Sequence, residues 1–423
     1  MADKRVISIV PIASGAPVVR REPTATVDAP GRHGQAGGVN VQLPLTLYVH
    51  LPWCIRKCPY CDFNSHQQPD HPLPEARYVD ALLADLEKAL PQVWGRPVHA
   101  IFFGGGTPSL FDPAQIDRLI SGIRARLQLS PGAEITMEAN PGTFDAQRFV
   151  GFAQAGVTRL SVGVQSFDDQ ALEVLGRVHN SDQALAALEL ARTTFTTYNL
   201  DTMFALPGQD MTRLARELDQ VRRLAPPHWS CYHLTMEPNT YFANFPPPDL
   251  PDDDLAADML DAVVEAAEHM QMQRYEVSAY AQQGHRCRHN LTYWTFGDYL
   301  GIGAGAHGKL SFHDRIIREQ RFKHPERYMD AALSGGGQGA VELSRPLQQP
   351  DLVFEFMLNS LRLTEGVPAA LFADHTGLNL AAASREMARA ASAGLLSPDP
   401  TRIQATAMGL AHLNELQMQF LAD

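Results

Sequence analysis

The stretch LTLYVHLPWCIRKCPYCDFNSH, Leu45 to His66, decides how this chain is read. Its first eight residues, LTLYVHLP, have the pattern of a strand. Directly after them stand Cys54, Cys58 and Cys61 in the spacing C-x3-C-x2-C. In parallel α/β folds, binding sites gather beyond the carboxyl ends of the strands, so a loop there can bring three thiolates round one metal centre. Pro52 and Pro59 stiffen that loop by fixing φ. Three chemistries compete for the cysteines. A redox dithiol of Cys58 and Cys61 leaves Cys54 unexplained. A structural zinc site needs a fourth ligand, for which His66 is available, but the usual paired knuckles are absent. A [4Fe–4S] cluster on three cysteines leaves one iron open, which suits the binding of a small molecule.

Outward from this loop the chain alternates strands and helices. VHAIFFGGG, EITMEAN, RLSVGVQS, YNLDTMFAL and WSCYHLT read as further strands. YVDALLADLEKAL, AQIDRLISGIRARL, DAQRFVGFAQAG, SDQALAALELARTT, MTRLARELDQVRRL and LAADMLDAVVEAAEHM carry helical apolar spacing. About six such units are visible, which predicts an α/β fold: a partial (β/α)6 barrel, open rather than closed, with right-handed crossovers. A doubly wound sheet is the alternative. The run FPPPDLPDDD from Phe245 predicts a surface loop. After SGGGQGAVELSRPLQQP the chain turns mostly helical, with a short hairpin and a last helix in its tail, which predicts a small winged-helix-like domain. The expected organisation is a flexible extension over 1–42, rich in Ala, Gly, Pro, Val and Arg, a barrel over 43–340 and a helical domain over 341–423.

Composition narrows the function. Acidic residues outnumber basic ones by twelve in the 423-residue chain, which argues against a nucleic-acid surface. No apolar run reaches membrane-spanning length and the N-terminus lacks a signal-peptide core, so a soluble cytoplasmic protein is expected. Five cysteines in so long a chain do not make a disulfide framework.

Other residues recur at the ends of the predicted strands. Gly105, Gly106 and Thr107 lie in GGGTP, whose glycines permit close approach of backbone to a ligand. Glu138 stands near the end of the third strand, Gln165 near the end of the fourth, Arg177 on the helical stretch that follows, and Asp201 on the fifth strand. A carboxylate at a strand end can hold ribose hydroxyls, and an arginine can clamp a carboxylate; each alone also fits a satisfied structural polar group. Tyr48 reads either as a neighbour of the metal centre or as core. YLGIGAGAHG matches a dinucleotide fingerprint formally through Gly303, Gly305 and Gly308, but no helix follows it. A glycine-rich turn closing one side of the site, with His307 at its edge, is expected instead.

The cysteine spacing after a first βα strand, with GGGTP beside it, resembles the radical S-adenosylmethionine (SAM) superfamily. That resemblance implies a [4Fe–4S] cluster on Cys54, Cys58 and Cys61, whose open iron chelates the amino and carboxylate groups of SAM and whose electron breaks the sulfonium bond to give a deoxyadenosyl radical. LYVHLPWCIRKCPYCDFNSH, GGGTPSL, EANPGT, SVGVQSF, YEVSAYA and CRHNLTYW further resemble the HemW-like heme chaperones, relatives of oxygen-independent coproporphyrinogen III oxidase, over about residues 43–423. It implies that Tyr48, Tyr60, Gly105, Gly106, Thr107, Glu138, Gln165, Arg177 and Asp201 fall on SAM-binding positions. The oxidase carries a further cysteine two residues after the third ligand. Here that position is Phe63, and the oxidase's own N-terminal segment is not matched by the extension, so both features favour the chaperone branch.

Within HNLTYW, His289 offers an imidazole for an axial iron position, Tyr293 and Trp294 offer flat surface to a macrocycle, and Arg286 and Arg288 offer partners for propionates. On the residues alone His289 reads equally as a hydrogen-bonded structural histidine; the resemblance makes it the heme candidate. Cys287 makes no covalent heme motif, since C-x-x-C-H is absent. The expected function is therefore heme binding and transfer to acceptor proteins, with radical decarboxylation of coproporphyrinogen III as the enzymic alternative and DNA binding by the C-terminal domain as the least favoured. Members of the family associate as homodimers or at the membrane surface, although no residue here marks either.

Overall fold

The computed structural model describes residues 38–39, 41–143, 145–334 and 339–422. The extension expected over 1–42 lies almost wholly outside the described residues. Six strands form the centre of the fold: β1 Leu45–Leu51, β2 Val98–Gly105, β3 Leu129–Ala139, β4 Arg159–Gln165, β5 Thr197–Phe204 and β6 His228–His233. They pair in chain order and all run parallel. A doubly wound sheet would reverse its order at a switch point within these units; the six strands do not, which sets the fold against that alternative.

Helices return the chain between strands: α1 Glu75–Val93, α2 Pro113–Arg124, α3 Ala146–Ala155, α4 Asp169–Val174 with α5 Ser181–Thr194, and α6 Met211–Leu224. After β6 come α7 Tyr241–Asn244 and α8 Asp253–His269. Their starts are set locally. Asp112, Asp145, Asp168, Asp210 and Asp252 each accept first-turn backbone N–H groups, and Asn180 makes a capping box with Gln183. Each helix lays an apolar stripe on the sheet; α1 does so with Tyr78, Val79, Leu82, Leu86, Ala89 and Val93.

Beyond the six units the chain extends the sheet in both directions. β7 Gln273–Glu276 and β8 Ala279–Ala281 add antiparallel strands beside β6. The short helix α9 Arg288–Trp294 follows, and β9 Asp298–Ile302 then pairs parallel to the free edge of β1. β10 His307–Ser311, β11 Ile316–Arg321 and β12 Val341–Pro346 complete that side as antiparallel strands, with α10 Pro325–Leu333 packed on α1. The order is β12-β11-β10-β9-β1-β2-β3-β4-β5-β6-β8-β7, an open sheet of twelve strands. The segment read as a glycine turn is thus two strands and the bend between them. A strand rather than a helix follows Gly303-x-Gly305, in keeping with rejection of the dinucleotide fingerprint.

The last strand, Val341–Pro346, still belongs to the sheet. After it α11 Gln349–Ser360 is buried from Leu352 to its end and forms the axis of a second core. The tail hairpin is held by one bridge, Leu396 to Ala405, and its returning arm Arg402–Ile403 also pairs with Val367–Pro368. Tyr293, Trp294, Phe296 and Tyr299 belong to this second core, so the helical domain and the HNLTYW segment share one apolar interior. No helix among the described residues is long and apolar enough to cross a membrane.

Candidate functional site

A cavity of about 240 Å³ opens at the carboxyl ends of the parallel strands. The backbone builds its rim first. At the end of β2, Gly105 has φ +113°, and a Cβ there would stand 2.4 Å from the His50 ring. A Cβ on Gly106 would stand 2.6 Å from the Trp53 carbonyl oxygen. Only glycine lets the second strand's loop press this closely on the cysteine loop. The two loops are then tied together: Gly106 N–H donates to Leu51 O at 2.9 Å and Thr107 N–H to Trp53 O at 2.7 Å.

Each cysteine sulfur meets polar side chains. Thr107 Oγ1 donates to Cys54 Sγ at 3.4 Å, Arg177 Nη1 to Cys58 Sγ at 3.6 Å, and Ser65 Oγ lies 3.7 Å from Cys61 Sγ. Burial raises the Cys54 thiol and pushes Cys61 up to about 11, so these groups hold their protons until a metal displaces them. All five cysteines are free. Among the described residues no three His, Cys, Asp or Glu side chains converge tightly enough to ligate a single ion. Three thiols on one loop, each beside a polar side chain, are a donor set that fits a [4Fe–4S] centre.

The cysteine loop is fastened from behind. His50 Nε2 lies 3.0 Å from Asn64 O and must donate to it, so His50 Nδ1 accepts from Tyr48 Oη at 3.0 Å. Burial lowers His50 to about 4, which keeps this neutral tautomer through the physiological range. Asn64 Nδ2 donates to Ala304 O at 3.0 Å and Lys323 O at 2.9 Å. The Gly303–Gly305 bend therefore braces the loop and does not line the cavity, contrary to the expectation that it would close one side of the site. His307 likewise stands outside it.

The strands supply the cavity wall. Alternate residues face it: Thr136 and Glu138 on β3, Arg159, Ser161 and Gly163 on β4, Asn199 and Asp201 on β5, His228 and Ser230 on β6. Burial first, and the nearby Asp201 charge second, raise Glu138 to about 8, while one oxygen accepts Gly105 N–H at 3.3 Å. Burial raises Asp201 too; its carboxylate accepts from Ser161 Oγ at 2.9 Å and Asn199 Nδ2 at 2.7 Å. Gln165 ends β4 with φ +73°, a left-handed backbone that swings its side chain over the cavity. Arg177 Nη2 donates to Gly163 O at 2.6 Å.

Of the residues singled out in sequence, Cys54, Cys58, Cys61, Tyr60, Gly105, Gly106, Thr107, Glu138, Gln165, Arg177 and Asp201 all line this one cavity. Tyr48 and His289 do not. Tyr48 is the brace just described. His289 is 2% exposed, its ring stacked 4.9 Å from Phe102 and 6.1 Å from Tyr48, edge-on to Tyr293 at 4.7 Å. Burial lowers it to about 3, and its Nδ1 has no hydrogen-bond partner. The helix α9 that carries it plugs the barrel opposite the cysteines, with its neighbours Cys287 and Asn290 facing the cavity. Tyr293 and Trp294 are packed in the second core instead of offering an open face. Arg286 is paired with Glu365 at 2.8 Å, and Arg288 donates to Gly132 O at 2.8 Å.

Ser161, Asn199, His228 and Ser230 went unnoticed in the sequence. They form one network under Asp201: Ser230 Oγ donates to Asn199 Oδ1 at 3.0 Å and His228 Nδ1 lies 2.6 Å from it. The available signal was polar residues at every second position of strands that should be apolar on both faces. The cavity wall also leaves polar atoms unspent. Arg159 Nη2, Arg177 Nε, Thr136 Oγ1, Glu237 Oε2 and Asn290 Oδ1 are buried without partners, all on residues lining the cavity. Unspent hydrogen-bonding capacity beside three thiols fits a cluster at the rim and a polar, partly cationic small molecule within.

Comparison with known proteins agrees in kind. Residues 48–221 match the radical SAM superfamily, and residues 347–412 match the HemN C-terminal domain. The heme chaperone HemW of Haemophilus influenzae is 43% identical over 386 residues, covering 90% of this chain and 98% of that protein. That of Escherichia coli is 44% identical over 382 residues, covering 90% and 99%. Among solved structures, the radical SAM enzyme coproporphyrinogen III oxidase (HemN) of Escherichia coli superposes with a TM-score of 0.75 at 25% identity, covering 90% of each chain.

Proposed function

We propose, from the premise that this chain belongs to the HemW heme chaperone family of radical SAM proteins, that it binds heme and passes it to acceptor proteins. The observation that carries this reading is the near-complete coverage of chaperone relatives at 43–44% identity. The half-buried Phe63 on the cavity wall supports it, because a phenyl ring stands where the oxidase has a thiol. Membership of the superfamily implies a [4Fe–4S] cluster and SAM, and the site has the donors to hold both.

In this reading Cys54, Cys58 and Cys61 hold the cluster, with Thr107, Arg177 and Ser65 directing hydrogen bonds at their sulfurs and so tuning it. Such a cluster supplies one-electron chemistry at the sulfonium of SAM. Gly105 and Gly106 allow SAM to approach backbone, while Glu138, Gln165, Arg177 and Asp201 surround its polar groups. Tyr60 packs against the wall beside them and Tyr48 acts through His50 on the loop. His289 remains the candidate heme ligand: its imidazole is neutral and its Nδ1 is unpaired, but α9 must move outward before iron reaches it. The working form as a homodimer, and delivery at a membrane surface, follow from the family alone; solution mass and vesicle cosedimentation test them.

The decisive experiment is an anaerobic heme titration of the cluster-reconstituted protein, followed in the Soret band, beside His289→Ala. Saturable binding that is lost or spectrally shifted in the variant supports the chaperone and its ligand. Saturable binding with an unchanged spectrum moves the ligand elsewhere. Absence of saturable binding refutes the chaperone reading and returns the decarboxylase alternative, which an assay for protoporphyrinogen then decides.

A further inference from the structure

A chain of hydrogen bonds runs from the start of α9 to the Asp201 carboxylate, and every link points the same way. It begins at Cys287 N–H, which donates to the Tyr275 hydroxyl. A backbone N–H can only donate, so the phenol gives its own proton onward, to His228 Nε2 at 2.8 Å. Burial lowers His228 well below the ordinary imidazole range, so the ring is neutral and its one proton sits on Nδ1. His228 Nδ1–H donates to Asn199 Oδ1 at 2.6 Å, which Ser230 Oγ also reaches at 3.0 Å. Asn199 Nδ2 then donates to Asp201 Oδ1 at 2.7 Å and to Ser161 Oγ at 2.8 Å. Ser161 Oγ in turn donates to Asp201 Oδ2 at 2.9 Å. Both ends fix the sense of the chain: it starts on a group that only donates and stops on one that, when ionised, only accepts.

The chain draws on separate strands. Tyr275 stands on β7, His228 on β6, Asn199 and Asp201 on β5, and Ser161 on β4. Tyr275 reaches His228 across β8, whose residue opposite His228 is the small Ala281. Both rings are buried, and Tyr275 does not line the cavity, so it can act on a ligand there only through its neighbours. Linked hydrogen bonds in a low-dielectric interior polarise one another, and the chain delivers that effect to its last acceptor. Burial raises Asp201, while the donors Ser161 and Asn199 oppose the rise. Each carboxylate oxygen is thereby held by a donor from the barrel wall and keeps lone pairs for the cavity. We infer that Tyr275 and His228 are positioning residues for the cofactor: through Asn199 they hold the Asp201 carboxylate in the orientation that receives hydroxyl groups of SAM. The inference rests on the reading of Asp201 as a SAM contact and adds the residues that set it.

The test is anaerobic calorimetric titration of SAM into the cluster-reconstituted full chain, with iron content and melting temperature measured beside it. Tyr275→Phe deletes one hydroxyl and keeps the ring; it should weaken SAM about fivefold, the worth of one hydrogen bond. His228→Leu, which breaks the chain at its middle, should weaken SAM further. His228→Asn places an amide N–H where Nδ1–H stood and should restore affinity towards wild type, which a role in packing alone would not produce. In an Asp201→Asn background Tyr275→Phe should cost nothing more, because its effect passes through that carboxylate. Undiminished affinity in Tyr275→Phe, an equal loss with and without Asp201→Asn, or no difference between His228→Leu and His228→Asn overturns the relay and leaves the cofactor reading standing. Failure of the reconstituted wild type to bind SAM refutes the cofactor reading itself, and the relay with it.

Discussion

Glu138 gives the site a pH dependence that can be worked out in advance. Its carboxyl is enclosed by the barrel wall, and burial together with the Asp201 charge raises it to about 8. SAM carries a permanent sulfonium charge, so it favours the ionised wall. Well below pH 8 the ionised fraction of Glu138 falls tenfold per pH unit, and SAM affinity should fall with it, by about 1.4 kcal/mol per unit. From pH 7.5 to pH 6 this amounts to roughly 25-fold. Isothermal titration of the reconstituted protein over that range measures it, and Glu138→Gln should bind weakly with a flat profile. The folded protein must show the converse. A folded pKa above the unfolded value near 4.5 contributes stability below that value and loses it as pH climbs through about 8. The melting temperature without SAM should therefore decline between about pH 4.5 and pH 8, level off above that, and recover when SAM is added. A flat affinity profile in the wild type, matching that of the Glu138→Gln variant, would refute the placement of a neutral carboxyl against the cofactor.

Gly106→Ala sets a Cβ 2.6 Å from backbone of the cysteine loop, so the loop must retreat by about 0.8 Å to reach ordinary contact; a cost of about 1–3 kcal/mol should appear as reduced iron and sulfide after reconstitution. Asn64→Ala removes two hydrogen bonds that brace the same loop, and should lower cluster retention under chelator challenge with little change in far-UV circular dichroism. Cys54→Ala, Cys58→Ala and Cys61→Ala should each abolish cluster assembly; full iron and sulfide in any one would contradict its assignment as a ligand.

What could be read from the sequence was what is local. The cysteine loop is one contiguous segment, GGGTP, Glu138 and Gln165 stand at or near the ends of strands whose periodicity is plain, and Asp201 lies within the fifth, so fold class and rim were legible together. Depth was not. Parity places Tyr48 and His50 on one face of β1, yet nothing local says that Tyr48 lies a layer lower and acts through His50. The strands from 298 to 346 escaped for a related reason. Their interior positions carry Lys309, Glu319 and Arg321, charges that look solvent-facing until Asp298, on the neighbouring strand, is found 3.1 Å from Lys309 and Asp85, distant in sequence, 3.2 Å from Arg321. Buried pairs of this kind hide a strand's alternation from any reading of neighbours alone.

The placement of α9 then has a consequence for how heme and cofactor act on one another. One side of this short helix gives Asn290 and Cys287 to the cavity floor, and the other gives Tyr293 and Trp294 to the core shared with the C-terminal helices. His289 stands between, held by Phe102 and Tyr48, while Arg362 lies 4.4 Å over the Trp294 ring. Freeing the imidazole means giving up both sets of contacts at once. Tyr48 is also the residue that fixes the tautomer of His50 and through it the end of the cysteine loop. A displacement of α9 large enough to expose His289 therefore reaches the loop through two side chains. By linkage, a ligand that stiffens the cluster end must disfavour that displacement by the same free energy with which an opened α9 disfavours the ligand.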